Sequence, residues 1–250
     1  MAKTGRIQYL HDETTHAELI LCEHSSISYP THSHVSVLTA GMVLEGGILL
    51  TDGDGPRLCQ EGAVFGILPY TPHSIRADGP YTLLSLCIQS QGLPPSGTNP
   101  APPLPDVLEA RMGTALPMPL LECLEGLCAV PQPEIDDPSI ERLKRQLEQH
   151  PESRVSIDEM AQAAFVSKYH LIRRFKQAVG LTPHQFQMQN RVRKAQRLLG
   201  RSGTMTEAAL TAGFCDQSHF IRLFERYVGL TPSAYLTSCA SLRKLTPKQE

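Results

Sequence analysis

The 250-residue chain contains no tryptophan and only seven phenylalanines and seven tyrosines, so aliphatic side chains must supply most of any core. No apolar run approaches the ~18–20 residues that a helical membrane span needs. The opening stretch, MAKTGRIQYLHDETTH, lacks the apolar centre of a signal peptide. Seven cysteines (Cys22, Cys59, Cys87, Cys123, Cys128, Cys215 and Cys239) form no C-x-x-C pair. Scattered and mostly in apolar settings, they read as reduced core residues of a cytoplasmic protein. P-loop, dinucleotide and Ser/His/Asp fingerprints are missing too, and with them the commonest enzymatic chemistries.

Basic residues are scarce in one half only. Residues 1–137 hold 5 Lys+Arg against 16 Asp+Glu, net −11, whereas residues 138–250 hold 18 against 9, net +9. An acidic half joined to a basic half points to one domain for a polyanion and one that stays off it. Merely solvated basic helices would not explain why the charge split falls where the two halves meet.

The basic half contains an internal repeat. In 204–236, TMTEAALTAGFCDQSHFIRLFERYVGLTPSAYL, small residues Ala208, Ala209 and Ala212 keep a first helix slim. Gly213 stops it with access to positive φ, and Asp216 is placed to cap the next helix. Phe220, Leu223, Phe224 and Tyr227 recur at helical spacing, Gly229 ends that helix, and Pro232 opens another. Residues 156–186 repeat the design, with Ser167 as cap, Leu171 and Phe175 inward, and Gly180 as the stop. GLTP occurs in both copies, at 180–183 and 229–232. Two copies of one helix-turn-helix unit are expected, joined by a continuous helix over 184–200.

With the GF-x-D-x-S-x-F-x-R-x-F pattern at 213–224, residues 138–236 resemble the DNA-binding domain of AraC/XylS-type transcription regulators. The resemblance implies groove-facing positions at Tyr169, Ile172 and Arg173 in the first unit and at Gln217, Ser218, His219 and Arg222 in the second. Guanidinium can bond guanine O6 and N7 together, Gln can pair with adenine, and Ile172 can touch a thymine methyl. Lys168, Arg174, Lys176, Arg191 and Lys194, with the helix N-terminus at Ser167, are expected on phosphates. Two such helices should reach successive major grooves, about 34 Å apart.

The acidic half is strand-like over 17–22, 35–40, 42–51, 63–68 and 81–89, punctuated by Gly, Pro and Asp clusters. Pro30-Thr31-His32-Ser33-His34, with Glu61-Gly62, Pro69 and Pro72-His73, resembles the cupin barrel that many AraC-type regulators carry as a sensor. H-x-H on a strand puts both rings on one side, so His32, His34 and His73 form a candidate three-histidine face for Zn, Fe, Ni or Cu. Cupin enzymes add a carboxylate four or five residues after the second His, where this chain has Leu38 and Thr39. A metal effector, a small organic effector and a purely structural cluster therefore all stay open. For an organic effector the candidate residues are Tyr29, Arg57, Tyr70 and Arg76, beside the same histidines, with Arg6 to Leu10 as an arm over the barrel mouth.

The expected architecture is thus α+β in two domains. Residues 1–90 form an all-β, cupin-like effector-sensing barrel, and residues 91–137 a Pro-rich linker with a possible dimerisation helix. Residues 138–240 form an all-α domain with two helix-turn-helix units joined by a long helix. The apolar stripe of Leu120, Leu121, Leu124, Leu127 and Cys128 either pairs two subunits or packs on its own barrel. The expected function is a sequence-specific transcription regulator, not an enzyme, needing no cofactor beyond a divalent metal as effector. Double-stranded DNA, the effector, a second subunit and, for an activator, RNA polymerase are its implied partners, with no membrane role. The alternatives are a metal-responsive regulator using His32, His34 and His73, a metal-dependent cupin enzyme with an accessory DNA-binding domain, and a constitutive architectural DNA-binding protein.

Overall fold

A computed structural model describes residues 5–11, 17–89, 115–130, 135–154, 156–200 and 204–243. They fall into two compact units: Met1–Pro131 with Thr237–Glu250, and Gln132–Leu236. The chain is an all-β region followed by a helical one.

Two antiparallel sheets form the first unit. One runs in the order β1 (Arg6–His11), β2 (Glu18–Ser25), β9 (Tyr81–Gln89), β4 (Val37–Glu45), β7 (Val64–Ile67). The other runs β3 (Tyr29–His32), β8 (His73–Ala77), β5 (Gly47–Asp52), β6 (Gly55–Gln60). β9 and β4 lie in the middle of the larger sheet, and their near-continuous apolar text, YTLLSLCIQ and VLTAGMVLE, is what a strand covered on both faces requires.

One of those faces is covered by α1 (Met118–Ala129), where Leu120, Leu121 and Leu124 pack with Leu38, Ala40, Leu84, Leu86 and Ile88. Gly66 lets the helix come close, since a Cβ there would stand 2.7 Å from a Leu127 methyl. The leucine stripe is therefore spent on the chain's own sheet. Of the two alternatives for the stripe, packing on the chain's own sheet is the one seen for Leu120, Leu121 and Leu124, with Leu127 and Cys128 half-buried beside them. The Pro-rich segment 91–106 and the start of the helix expected from 107 lie outside the described residues.

Several sequence expectations need correction. Arg6–His11 is no arm but an edge strand, paired residue for residue with β2 from Arg6↔Glu23 to His11↔Glu18. The single strand expected over 42–51 is broken at Gly46, whose φ of +73° turns β4 into β5. β6 and β8 went unrecognised because their solvent faces carry Arg57 and Arg76, which dilute the apolar alternation, and the strand expected to hold both His32 and His34 ends at His32.

The second unit contains α2 (Pro138–Gln149), α3 (Ile157–Ala163), α4 (Lys168–Val179), α5 (Pro183–Gly200), α6 (Met205–Thr211), α7 (Gln217–Val228) and the first five residues of α8 (Pro232–Arg243). Within its largely aliphatic core, Phe175 meets Phe186 edge-on at 5.5 Å, and Phe220, Phe224 and Tyr235 meet in series at 5.5 and 5.6 Å. These few rings occupy the fully buried positions, which is how a chain poor in aromatics builds two dense small helical units.

The two repeats are not in uniform register. Their first-helix caps, Ser156 and Thr204, lie 48 residues apart, and their second-helix caps, Ser167 and Asp216, lie 49 apart. The second turn is longer by one residue. Phe165 donates its N–H to Gln162 O just as Gly213 donates to Leu210 O, so Phe165 occupies the glycine position of the first turn, at φ +54° against +90° for Gly213.

Candidate DNA-reading surface and histidine cluster

The two second helices start and stop as their caps dictate. Ser167 Oγ accepts from His170 N–H, and Asp216 accepts from Ser218 and His219 N–H. Gly180 and Gly229 close the helices in the left-handed region, at φ +79° and +81°. Thr182 and Gln185 form a reciprocal capping box ahead of α5. Asp216 is thus occupied with its own helix.

On α4, Tyr169 and Arg173 are exposed and Ile172 is half-buried. On α7, Gln217, Ser218 and Arg222 are exposed, while His219 is half-buried with its ring 5.9 Å from that of Phe214. Of the expected groove-facing residues, Tyr169 and Arg173 in one unit and Gln217, Ser218 and Arg222 in the other are therefore the exposed ones.

The expected phosphate contacts divide more sharply. Lys176 is exposed, and Lys168 is exposed while pairing with Asp158 at 3.1 Å. Arg174 is ion-paired with Asp137. Arg191 and Lys194, both half-buried, already hold acceptors within the protein. The Arg191 guanidinium donates to the carbonyls of Pro151, Glu152 and Ser153, at 2.7, 3.4 and 3.2 Å. Lys194 Nζ holds the Glu152 carboxylate at 2.8 Å and keeps that carboxyl below its ordinary range. Gln187 donates to Pro151 O and Ser153 O in the same loop. The basic face of the connector helix thus ties down the α2–α3 loop, whose carbonyls would otherwise lack partners. Sequence reading missed this because the acceptors are backbone atoms about forty residues away.

In the β unit the three histidines come together. The ring centroids of His32, His34 and His73 are 4.2 to 5.2 Å apart, and one nitrogen of each lies within 4.8 Å of the others. Antiparallel pairing puts His32 directly opposite His73. His32 Nδ1 donates to Pro30 O at 2.8 Å and His73 Nδ1 to Thr71 O at 2.9 Å. A carbonyl can only accept, so Nδ1 carries the proton in both rings and Nε2 carries the lone pair. His34 Nδ1 lies 2.7 Å from Thr39 Oγ1, which in turn lies 3.5 Å from Cys87 Sγ. Thr39 stands where a cupin enzyme's carboxylate is expected, and it orients a histidine instead.

Burial, reinforced by the neighbouring His32, lowers the His73 pKa to about 4 from an ordinary 6.5. As pH falls through 6.5 the unfolded chain takes up a proton that the folded chain refuses until about pH 4. The β unit therefore loses stability across that window, by up to about 3 kcal/mol. Thermal melting of the metal-free chain between pH 7.5 and 4.5 should show this decline, and His73→Gln should flatten it.

Of the candidate effector residues, Tyr29 and Tyr70 flank the cluster. The Tyr29 ring lies 6.3 Å from that of His32, and its phenol is pushed well above its ordinary pKa by burial and by nearby Cys22. Tyr70 donates its N–H to His34 O at 2.8 Å, and its hydroxyl bonds Ser36 Oγ at 2.6 Å. Arg76 does not join them: along β8, His73 and Ile75 are buried and Arg76 is exposed, one step out of phase. Burial raises the Cys22 thiol to about 11 and raises Cys59, so neither is a ready thiolate ligand.

A separate cavity of 450 Å³ opens between the β5–β6 turn, β7 and α1. Val64, Phe65, Ile67 and Leu127 line it with Arg57, whose guanidinium bonds Asp52 at 2.9 Å. No helix among the described residues is long and apolar enough to cross a membrane.

A family model described as a helix-turn-helix domain matches residues 160–238. No curated protein matches the chain. Among solved structures, an apo form of ToxT from Vibrio cholerae is similar at a TM-score of 0.60 and 11% identity, over 92% of this chain and 99% of that one. ToxT with a bound unsaturated fatty acid matches at 0.58 and 11%, over 94% and 97%. Also similar is a probable AraC family transcriptional regulator from Rhodopseudomonas palustris, at a TM-score of 0.38 and 24% identity, over 41% of this chain and 98% of that one. At 11% identity the ToxT likeness is one of fold, an all-β region ahead of a helical one. With their repeated, capped helices matching the family model, residues 160–238 of this chain are a helix-turn-helix domain.

Proposed function

We propose that the β unit senses a divalent transition-metal ion through His32, His34 and His73, and that this controls sequence-specific DNA binding by the helical unit. The observation that carries the reading is the orientation of the cluster: Nδ1 of His32 and of His73 is committed to a backbone carbonyl, which leaves Nε2 as the donor nitrogen. Such outer partners commonly fix metal-binding imidazoles, and neutral imidazole suits Zn, Ni, Cu and Fe. Three donor nitrogens around one ion at about 2.1 Å stand roughly 3.4–3.6 Å apart, so the cluster, whose donor atoms lie within 4.8 Å of one another, closes by about 1 Å on binding. Holding an ion, the three side chains link β3, the loop after it and β8. The acidic balance of residues 1–137 attracts a cation.

In this reading residues 1–90 sense, 91–137 connect and 138–240 bind DNA. Arg173 and Arg222 read base edges with Gln217, and Lys168 and Lys176 hold phosphates. The family resemblance of the DNA-binding domain supports activation as the direction of control, with RNA polymerase as a partner. The ion shifts output only through its difference in affinity for the two DNA-binding states.

The test is to load the purified chain with Zn, Ni, Cu or Fe and measure metal content and operator affinity before and after chelation. The expected result is one ion per chain, lost in His34→Ala, with affinity changing by at least ~5-fold. No retained metal and unchanged affinity would contradict it.

A second reading has its own observation, the 450 Å³ cavity in which Arg57, paired with Asp52 and near Asp54, faces Val64, Phe65, Ile67 and Leu127. It suits an organic carboxylate, the class of ligand that one of the similar ToxT structures holds. In that case fatty acids, and not metals, would raise the melting temperature, and Arg57→Ala would abolish the shift. A metal-dependent enzyme is a weaker reading, because Thr39 replaces the carboxylate and bonds His34.

A further inference from the structure

The first helix-turn-helix presents two bare aromatic rings. Phe165 is 96% exposed and Tyr169 is 85% exposed. Phe165 also stands at φ +54°, a position a bulky side chain rarely takes. The equivalent place in the second unit carries Gly213, which meets the same turn without that strain. A ring that is both strained and wholly in water contributes nothing to the fold, so its use lies outside the chain.

Both rings flank Ser167, the cap of α4, at the end of a recognition helix that enters the groove. Lys168, Arg173 and Lys176 are exposed around them, and residues 138–250 carry net +9. The charge fits a polyanion, and the one apolar group that duplex DNA displays in its major groove is the 5-methyl of thymine. We propose that Phe165 and Tyr169 form an apolar reader of thymine 5-methyl groups. The first unit then adds methyl contacts with thymines to the base contact of Arg173, while the second, with Gln217 and Arg222, recognises its half-site by hydrogen bonds. This rests on the DNA-binding reading and adds Phe165, which lies outside the helix, to the specificity residues.

The full chain is first used to enrich duplexes from a random-sequence pool. The enriched duplex is then remade with deoxyuridine for thymidine, one position at a time, which removes a methyl and nothing else. Within one half-site, each contacted thymine so replaced should weaken binding about four-fold. Phe165→Ala and Tyr169→Ala should each weaken binding to the thymine duplex and reduce its advantage over the deoxyuridine duplex. Phe165→Gly should raise the melting temperature while still weakening binding, a combination that a structural role for the ring would not produce. Indifference to every deoxyuridine would overturn the proposal. So would unchanged affinity in Phe165→Ala, which would assign the ring to a protein partner. Failure to enrich any sequence would instead remove the DNA-binding reading beneath it.

Discussion

Gly213→Ala should destabilise the helical unit by about 2–5 kcal/mol, lowering its melting temperature by roughly 10–30 °C. Two independent costs add here. The φ of +90° is unfavourable for any residue with a Cβ. That Cβ would also stand 2.6 Å from Glu152 Cα and 3.0 Å from Glu152 O, and backbone atoms cannot swing aside as a side-chain tip can. The loop it would strike is the one that Gln187, Arg191 and Lys194 hold in place, so displacement would propagate into α5. Gly62→Ala provides the comparison: φ is +82° but nothing lies within 4 Å, so only the conformational cost of ~1 kcal/mol applies. Differential scanning calorimetry of both variants separates the two costs. Equal, small losses would show that Glu152 does not hold the turn.

Arg173→Ala and Arg222→Ala should each weaken binding to the preferred duplex by about 10- to 100-fold, the worth of a bidentate guanine contact. Binding to random DNA should fall far less, because one charge among many carries that affinity. Both side chains are exposed, so neither change should alter melting. Competition binding at fixed salt measures the ratio. If specific and nonspecific affinity fell together, the residue would be a phosphate contact. Lys194→Ala forms the opposite case: its ammonium is tied to Glu152 at 2.8 Å, and it should lower stability with little change in the salt dependence of binding.

What was legible in the sequence follows the range of the interactions. Caps and stops act within four residues, so Ser167, Asp216, Gly180 and Gly229 could be placed from local text, and with them the recognition helices. The one-residue difference between the turns escaped because the GLTP and aromatic matches lie beyond it and share the same offset. Arg191 looked like a phosphate ligand because its partners are backbone carbonyls of Pro151 to Ser153, which no side-chain pattern announces. The leucine stripe of α1 was visible, but the text of a helix does not say which surface covers it. Only the pairing of β4 with β9 creates the apolar face it occupies. His32, His34 and His73 were recognisable as residue types, yet their meeting depends on β3 pairing with β8, and of the H-x-H pair expected on one strand only His32 stands on β3, with His34 in the loop after it.

The central claim is that two unlike helix-turn-helix units read DNA together. Its most direct test is the footprint of the full chain on the duplex it enriches from a random pool. The account predicts two dissimilar conserved blocks about one helical turn apart, ~10 base pairs. The first block should lose protection in Arg173→Ala and the second in Arg222→Ala. A single block, or protection that ignores sequence, would contradict it and leave an architectural protein in its place.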